Sequence, residues 1–268
     1  MSTLSVIVIT KNEAHNLPRC LESVPFADEI VVVDAHSTDG TRDVARRYTE
    51  KVFDLPWQGF GGAKQAALDR ATCEWVLSVD ADEVLDRPLA RAVENVVRGG
   101  DAGVHGYRVN RLANFCGAWI RHSGLYPDYV LRLGRRSRIR FSPDTVHEHA
   151  EITGRVRKLD GHLLHYTAPE LRSYLAKQQH YADLSARALY ARGRRPRLVD
   201  VSLRPMYQLL RSYFWQRGFL DGVPGLLIAG GSALRVFTKY ARLWELQRQA
   251  GADSAGPTAT TEKQEDAA

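Results

Sequence analysis

Cysteine is scarce in this chain, long apolar runs are missing, and the usual glycine signatures of phosphate binding are absent. Three widely separated cysteines, Cys20, Cys73 and Cys116, stand among 268 residues. An odd number of dispersed thiols argues against a disulfide framework, and no C-x-x-C pair points to zinc or redox chemistry. A reducing compartment is expected. The longest weakly polar stretch, residues 223–234, contains Pro224 and three glycines. Twelve residues do not cross ~30 Å of hydrocarbon. The opening run from Leu4 to Thr10 gives way at once to Lys11-Asn12-Glu13, too short for the apolar region of a signal segment. A cytoplasmic location, with contact at a membrane surface, is the expectation. No G-x-G-x-x-G follows the first strand candidate, which disfavours a dinucleotide site. The segment from Trp57 to Lys64 is glycine-rich but lacks the G-K-[ST] ending of an ATPase loop, and no H-E-x-x-H marks a zinc protease.

What is present is ordinary in bulk and uneven in placement. Apolar residues make up 44% and charged residues 25%, as in soluble globular proteins, and the length suits an α/β domain with an appendage. The net charge of +6 hides an asymmetry: residues 1–100 carry −5, residues 101–250 carry +14, and residues 251–268 carry −3. A strongly basic second half predicts an anionic partner.

Residues 5–10, 30–34, 51–54 and 75–80 are short β-branched runs, with helical patterns over 17–24, 41–48 and 63–71 between them. Such alternation predicts a Rossmann-like, mostly parallel sheet flanked by helices, with ligands at the carboxyl ends of its strands. Further strands are expected over 107–110, 129–133 and 151–158. From about Pro169 the pattern becomes helical, with Met206, Leu209, Leu210, Tyr213 and Phe214 at the spacing of an apolar stripe. The predicted organisation is a catalytic domain over 1–165, a basic amphipathic helical region over 166–250 and a disordered tail over 251–268.

The strand ends carry the chemistry. Asp34 closes the second strand, where a carboxylate can accept hydrogen bonds from a nucleoside. Asp39 and Thr41 beside it read as turn and helix-cap residues. Lys64, placed by a glycine-rich turn at a helix start, reads either as a diphosphate contact or as a solvated lysine. Asp80-Ala81-Asp82 ends the fourth strand. If extended, it turns both carboxylates to one face, where a hard cation such as Mg²⁺ or Mn²⁺ would relieve their repulsion. An acidic pair at such a turn can equally be a cap.

Taken together, residues 5–13, Ile30–Asp34 with Ser37-Thr38-Asp39-Gly40-Thr41, and residues 75–83 resemble family 2 glycosyltransferases of the GT-A fold. The later Tyr126-Pro127-Asp128, Arg132-Leu133 and Val146-His147-Glu148 resemble the bacterial branch that extends lipopolysaccharide or lipooligosaccharide cores. The resemblance implies an inverting, metal-dependent transfer from a UDP-sugar, with glucose favoured, to a core acceptor. It implies that Thr10, Glu13 and Asp34 hold base and ribose, that Asp80 lies beside the ribose, that Lys64 approaches the phosphates, and that Asp82 ligates the metal. Glu148 is the candidate base for the acceptor hydroxyl. His147 is the alternative base, and His147 or His165 is a further candidate metal ligand; His147 and His149 read equally as a surface strand pair.

The basic half carries three clusters: Arg132 to Arg140, Arg192 to Arg197, and Arg235, Lys239 and Arg242 on a helix with Phe237, Tyr240 and Trp244. No recognised nucleic-acid module accompanies them, so nucleic acid is not the expected partner. An anionic glycolipid acceptor and the surface of the inner membrane are. The rival expectations are the same fold acting on a polyprenyl phosphate or capsular glycan, and a non-catalytic basic membrane- or RNA-binding protein on a degenerate sugar-nucleotide fold. Intact Asp34, Asp80 and Asp82 speak against degeneracy.

Overall fold

The computed structural model describes residues 2–100, 103–142, 150–168 and 170–254. In chain order the first part contains β1 (Leu4–Thr10), α1 (Leu17–Glu22), β2 (Glu29–Asp34), α2 (Thr41–Ala45), β3 (Val52–Asp54), α3 (Gly59–Arg70), β4 (Trp75–Asp80), β5 (Glu83–Leu85) and α4 (Arg87–Gly99). Then follow β6 (Val104–Phe115), β7 (Ala118–Trp119), β8 (Asp128–Arg135), β9 (Ile139–Phe141), β10 (Ala150–Ile152) and β11 (Arg155–Ala168). The last helices are α5 (Leu171–Ala191), α6 (Leu198–Leu210) and α7 (Gly222–Ser254). A π-helical turn, Arg211–Trp215, and a 3₁₀ turn, Gly218–Asp221, join α6 to α7.

Nine strands form one mixed sheet in the order β3-β2-β1-β4-β8-β6-β11-β5, with β7 paired to β6. The β3-β2-β1-β4 part is parallel. Its strands are apolar on both faces because both faces are covered. Leu4, Val6 and Val8 of β1 pack on one side with Leu17, Leu21, Leu89 and Val93 of the helices. Ile7 and Ile9 pack on the other with Ala63, Ala67 and Leu68 of α3. The small residues of α3 let that helix lie close to the sheet.

Three sequence expectations need revision. The strand expected over 151–158 is two strands: β10, paired with β9 rather than with the main sheet, and β11, which runs on to Ala168. The helix α4 went unread; Asp86 caps it by accepting from the Leu89 amide at 2.8 Å, and Leu89, Val93 and Val97 face the core. Finally, α7 continues to Ser254, four residues into the expected tail, and residues 255–268 lie outside the described residues.

The chain divides into two compact units, residues 1–121 with 125–169, and residues 122–124 with 170–268. In the second, Ala186, Tyr240 and Leu243 form a small core with Leu189, Val201, Val236 and Leu246 partly buried around it. The helical span Gly218–Ala250 is, by length and composition, long and apolar enough to cross a membrane, whereas its 12-residue apolar segment alone is too short.

Candidate active site

The parallel register sets Thr10 beside Asp34 at the ends of β1 and β2. Asp34 is fully buried, and its carboxylate accepts three hydrogen bonds from within the chain. It accepts from the Thr10 hydroxyl at 2.8 Å, the Ser37 hydroxyl at 2.5 Å and the Ser37 amide at 2.8 Å, and the Arg42 guanidinium lies 3.8 Å away. The loops after β1 and β2 are laced together. The Asn12 amide donates to Ser37 Oγ, the Thr38 amide to Asn12 Oδ1 and the Glu13 amide to Thr41 Oγ1, each at 2.8 Å. Asp39 accepts from the Thr41 amide at 3.0 Å, the turn role read from its sequence. Glu13 accepts from Asn16 Nδ2 at 2.7 Å. Burial pushes its carboxyl above the usual range against that bond, and the charges of Asp82 and Asp39 push the same way.

Lys64 is neither in a glycine loop nor solvated. Gly59 to Gly62 form the first turn of α3, and Lys64 follows, buried, with its ammonium 2.8 Å from Asp80 Oδ1. The other Asp80 oxygen accepts from Arg132 at 2.6 Å, and the same guanidinium nitrogen donates to Glu83 Oε1 at 2.6 Å. Burial opposes ionisation of Asp80, but Arg132 and Lys64 outweigh it and hold the carboxyl well below its ordinary value. Burial raises Glu83, and Arg132 only partly offsets this, with the Asp80 charge adding to the rise. Arg132 is therefore a strut of the strand-end cluster and no part of an anion-facing surface. Arg135, also read as part of that basic cluster, ion-pairs with Glu74 and lies 4.6 Å over the Trp75 ring.

The D-x-D segment does not stay extended. β4 stops at Asp80, the chain turns through Ala81-Asp82, and β5 begins at Glu83. The two aspartates consequently have different partners. Asp82 Oδ2 lies 3.2 Å from His165 Nε2, and its backbone carbonyl accepts from the Tyr166 amide at 2.9 Å. The β5–β11 register, which sets His165 opposite Glu83, makes this meeting possible across 83 residues of chain. Asp82 keeps 27% of its side-chain surface exposed and His165 keeps 16%. Tyr166 carries the Arg19 guanidinium 3.6 Å above its ring and an edge contact from Trp119. Among the described residues no three His, Cys, Asp or Glu side chains gather as a metal cage.

Glu148, His147 and His149 lie outside the described residues. The ends of their segment do not. β9 and β10 pair with Ala150 opposite Phe141. The Phe141 amide donates to Gln65 of α3 at 3.0 Å, next to Lys64. Ile152 fills a slot above the cross-strand pair Gly106 and Gly134, where an added Cβ would stand 2.0 Å and 2.7 Å from its Cδ1. Sequence reasoning missed Arg132, Glu83 and the glycine pair. Only the glycines left a signal, as isolated residues within strand patterns.

Comparison with known proteins gives the family. Residues 5–158 match the model of Glycosyl transferase family 2. The chain is 31% identical over 252 residues to the lipopolysaccharide core biosynthesis glycosyltransferase LpsC of Rhizobium meliloti, covering 89% of this chain and 93% of LpsC. It is 26% identical to an uncharacterized glycosyltransferase of Rickettsia typhi, covering 92% of this chain and 88% of that one. Among solved structures it is similar to the mannosyltransferase PcManGT of Pyrobaculum calidifontis, with 19% identity, a TM-score of 0.48 and coverage of 95% and 80%. The mixed sheet is of GT-A type, and the chain belongs to glycosyltransferase family 2.

Proposed function

We propose that this enzyme is an inverting, metal-dependent transferase that moves a sugar, glucose, from a UDP-sugar to a lipopolysaccharide or lipooligosaccharide core at the cytoplasmic face of the inner membrane. The observation that carries the reading is the Asp82–His165 pair, 3.2 Å apart and open to solvent beside the ends of the parallel strands. The Asp82 carboxylate is a hard donor that would suit Mg²⁺ or Mn²⁺, and an imidazole ligand from His165 would favour Mn²⁺ of the two. Bound there, the cation supplies Lewis-acid stabilisation of the charge on the departing diphosphate.

The protein's own groups do the rest. Thr10 and Asp34, hydrogen-bonded to each other at the ends of β1 and β2, and Glu13 on the loop after β1 are assigned to the base and ribose. Asp80, fixed by Arg132 and Lys64, presents a permanently ionised carboxylate to the ribose, and Lys64 lends positive charge toward the phosphates. We assign Glu148 as the base. The acceptor hydroxyl oxygen attacks the anomeric carbon, the bond from that carbon to the diphosphate breaks with its electrons leaving on UDP, and the proton passes to Glu148. Anchoring of β9 and β10 near Lys64 supports that role. The name of LpsC supports the core acceptor.

The test is a panel of UDP-, GDP- and CMP-sugars with truncated core glycolipids, read as nucleotide release and sugar incorporation. UDP release that needs a divalent cation is the expected result. Release undiminished by chelation, or a preference for another nucleotide, overturns the donor assignment. Full activity in Glu148→Gln removes the base.

A further inference from the structure

The second unit carries a surface whose chemistry is unlike that of the first. On α6, Met206, Tyr207 and Leu210 follow Leu203 at i+3, i+4 and i+7, the spacing of one helix face. In a soluble bundle that stripe would be core. Here it is open: Met206 is 58% exposed and Tyr207 60%. The face continues around the π-helical and 3₁₀ turns, where Trp215 is 83% exposed, and starts at Val199, 52% exposed, with Leu198 exposed beside it. Phe214, Phe219, Leu220 and Val223 extend it into α7. A contiguous exposed apolar face of this kind marks an interaction surface.

The charges around it select the partner. From Arg192 to Lys239 the sequence holds nine basic residues and two acidic ones, Asp200 and Asp221. Both acids are turned inward. Asp200 is 2% exposed, caps α6 through the Arg197 amide at 2.9 Å and pairs with Arg204 at 2.5 Å. The Asp221 carboxylate, 5% exposed, accepts from the His122 amide and meets His122 Nδ1, both at 3.0 Å. Arg195, Arg197, Arg211 and Arg217 are exposed. The surface is therefore apolar and purely cationic, with an indole at its corner.

We propose that the α6–α7 corner, from Leu198 to Val223, is seated in one leaflet of an anionic bilayer, its aromatic and aliphatic side chains at the headgroup–acyl boundary and its arginines on the lipid phosphates. The proposal deepens the membrane location given above and rests on it. A second copy of this chain fits less well, because self-association would bring the arginines of two like faces together. A membrane-crossing α7 fits less well too. Its Tyr240 and Leu243 are buried against α5 and α6, and it carries Arg235, Lys239, Arg242 and Arg248.

The test is co-sedimentation of the full chain with vesicles of phosphatidylcholine alone or with phosphatidylglycerol, alongside UDP release on a water-soluble truncated acceptor. Wild type is expected to bind the anionic vesicles. Phe214→Ser with Trp215→Ser is expected to weaken binding about tenfold or more. Arg211→Gln with Arg217→Gln is expected to weaken it about fivefold per arginine. Bromine-labelled acyl chains are expected to quench a fluorescence component missing from Trp215→Phe. Soluble-acceptor turnover should remain as in wild type in all of these. Equal binding by wild type and the aromatic variant overturns the proposal. So does a dimer in gel filtration that the same substitutions dissociate, which would make a second copy the occupant. A wild type that binds vesicles but releases no UDP leaves the docking intact and fails the glycosyltransfer reading instead.

Discussion

The strand-end site and the α6–α7 corner solve opposite problems with the same residue types. At the strand ends, Arg132, Lys64 and Glu83 are buried, and contacts under 3 Å join Lys64 to Asp80 and Arg132 to both Asp80 and Glu83, while Val and Ile fill both faces of the sheet. At the corner, the apolar groups are outside and the carboxylates Asp200 and Asp221 are the buried ones. Buried ions persist where each has an opposite charge to hold, because an unpaired one costs several kcal/mol. Exposed aromatics persist where something other than water receives them. Burial thus separates a part that holds fixed charge within the fold from a part whose apolar groups face outward.

The largest effect should come from the one strand-end carboxylate that is neither buried nor tied to a cation. Asp82→Ala, or chelation of divalent cations, should lower UDP release roughly 100-fold or more, the scale of losing a group that stabilises charge in the transition state. Thermal unfolding should barely move, since Asp82 has a single side-chain partner at 3.2 Å and a quarter of its surface in solvent. His165→Ala should follow the same pattern. A large drop in melting temperature with either variant would make the pair a structural strut like Arg132.

Arg132 marks the other extreme. Arg132→Met should cost about 3–5 kcal/mol in denaturant unfolding, because the fully buried Glu83 would lose its counter-charge and Asp80 one of its two. Activity would fall with it. A neutral outcome would mean that the cluster relaxes to water and that its buried charges are not the rigid frame described above.

How much of this was legible beforehand follows from chain distance. The parallel strands, and Thr10, Asp34 and Asp80 at their ends, could be read because a buried strand has a local signature and its last residue is where ligands gather. Arg132 could not: it sits in a run of arginines that looks like a solvated face, and only the β4–β8 pairing turns it inward. The Asp82–His165 meeting is likewise a product of β5–β11 register. The α6 stripe was legible as an apolar helix face, and its exposure was not, since periodicity reports a face and does not say what covers it.

A smaller effect tests how the Glu148 segment is held. Gly134→Val should cost about 1–3 kcal/mol, as overpacking does, by driving a side chain into Ile152 Cδ1, 2.7 Å from where its Cβ would stand. Turnover should fall beyond what the stability change explains if Glu148 is the base, because β10 begins at Ala150, two residues after it in the chain. Adding Ile152→Ala should restore part of both, a coupling expected of side chains that share one space. Independent, additive effects would separate the glycine slot from the catalytic segment.

The smallest effect carries the sharpest contrast. Trp75 and Trp215 are the same residue in the two regions, one with no exposed surface and the other 83% exposed. A fully buried aromatic cut to alanine costs about 3–5 kcal/mol. An exposed one replaced by a polar residue of helical propensity should change stability by no more than about 0.5 kcal/mol. Trp215→Gln is therefore expected to unfold at the wild-type denaturant concentration in solution. The same substitution should remove the added protection that anionic vesicles give wild type, since a ligand that binds only the folded chain raises its apparent stability. If Trp215→Gln instead destabilises the free protein as Trp75→Ala does, the corner is packed against the protein's own structure and the contrast between the two regions collapses.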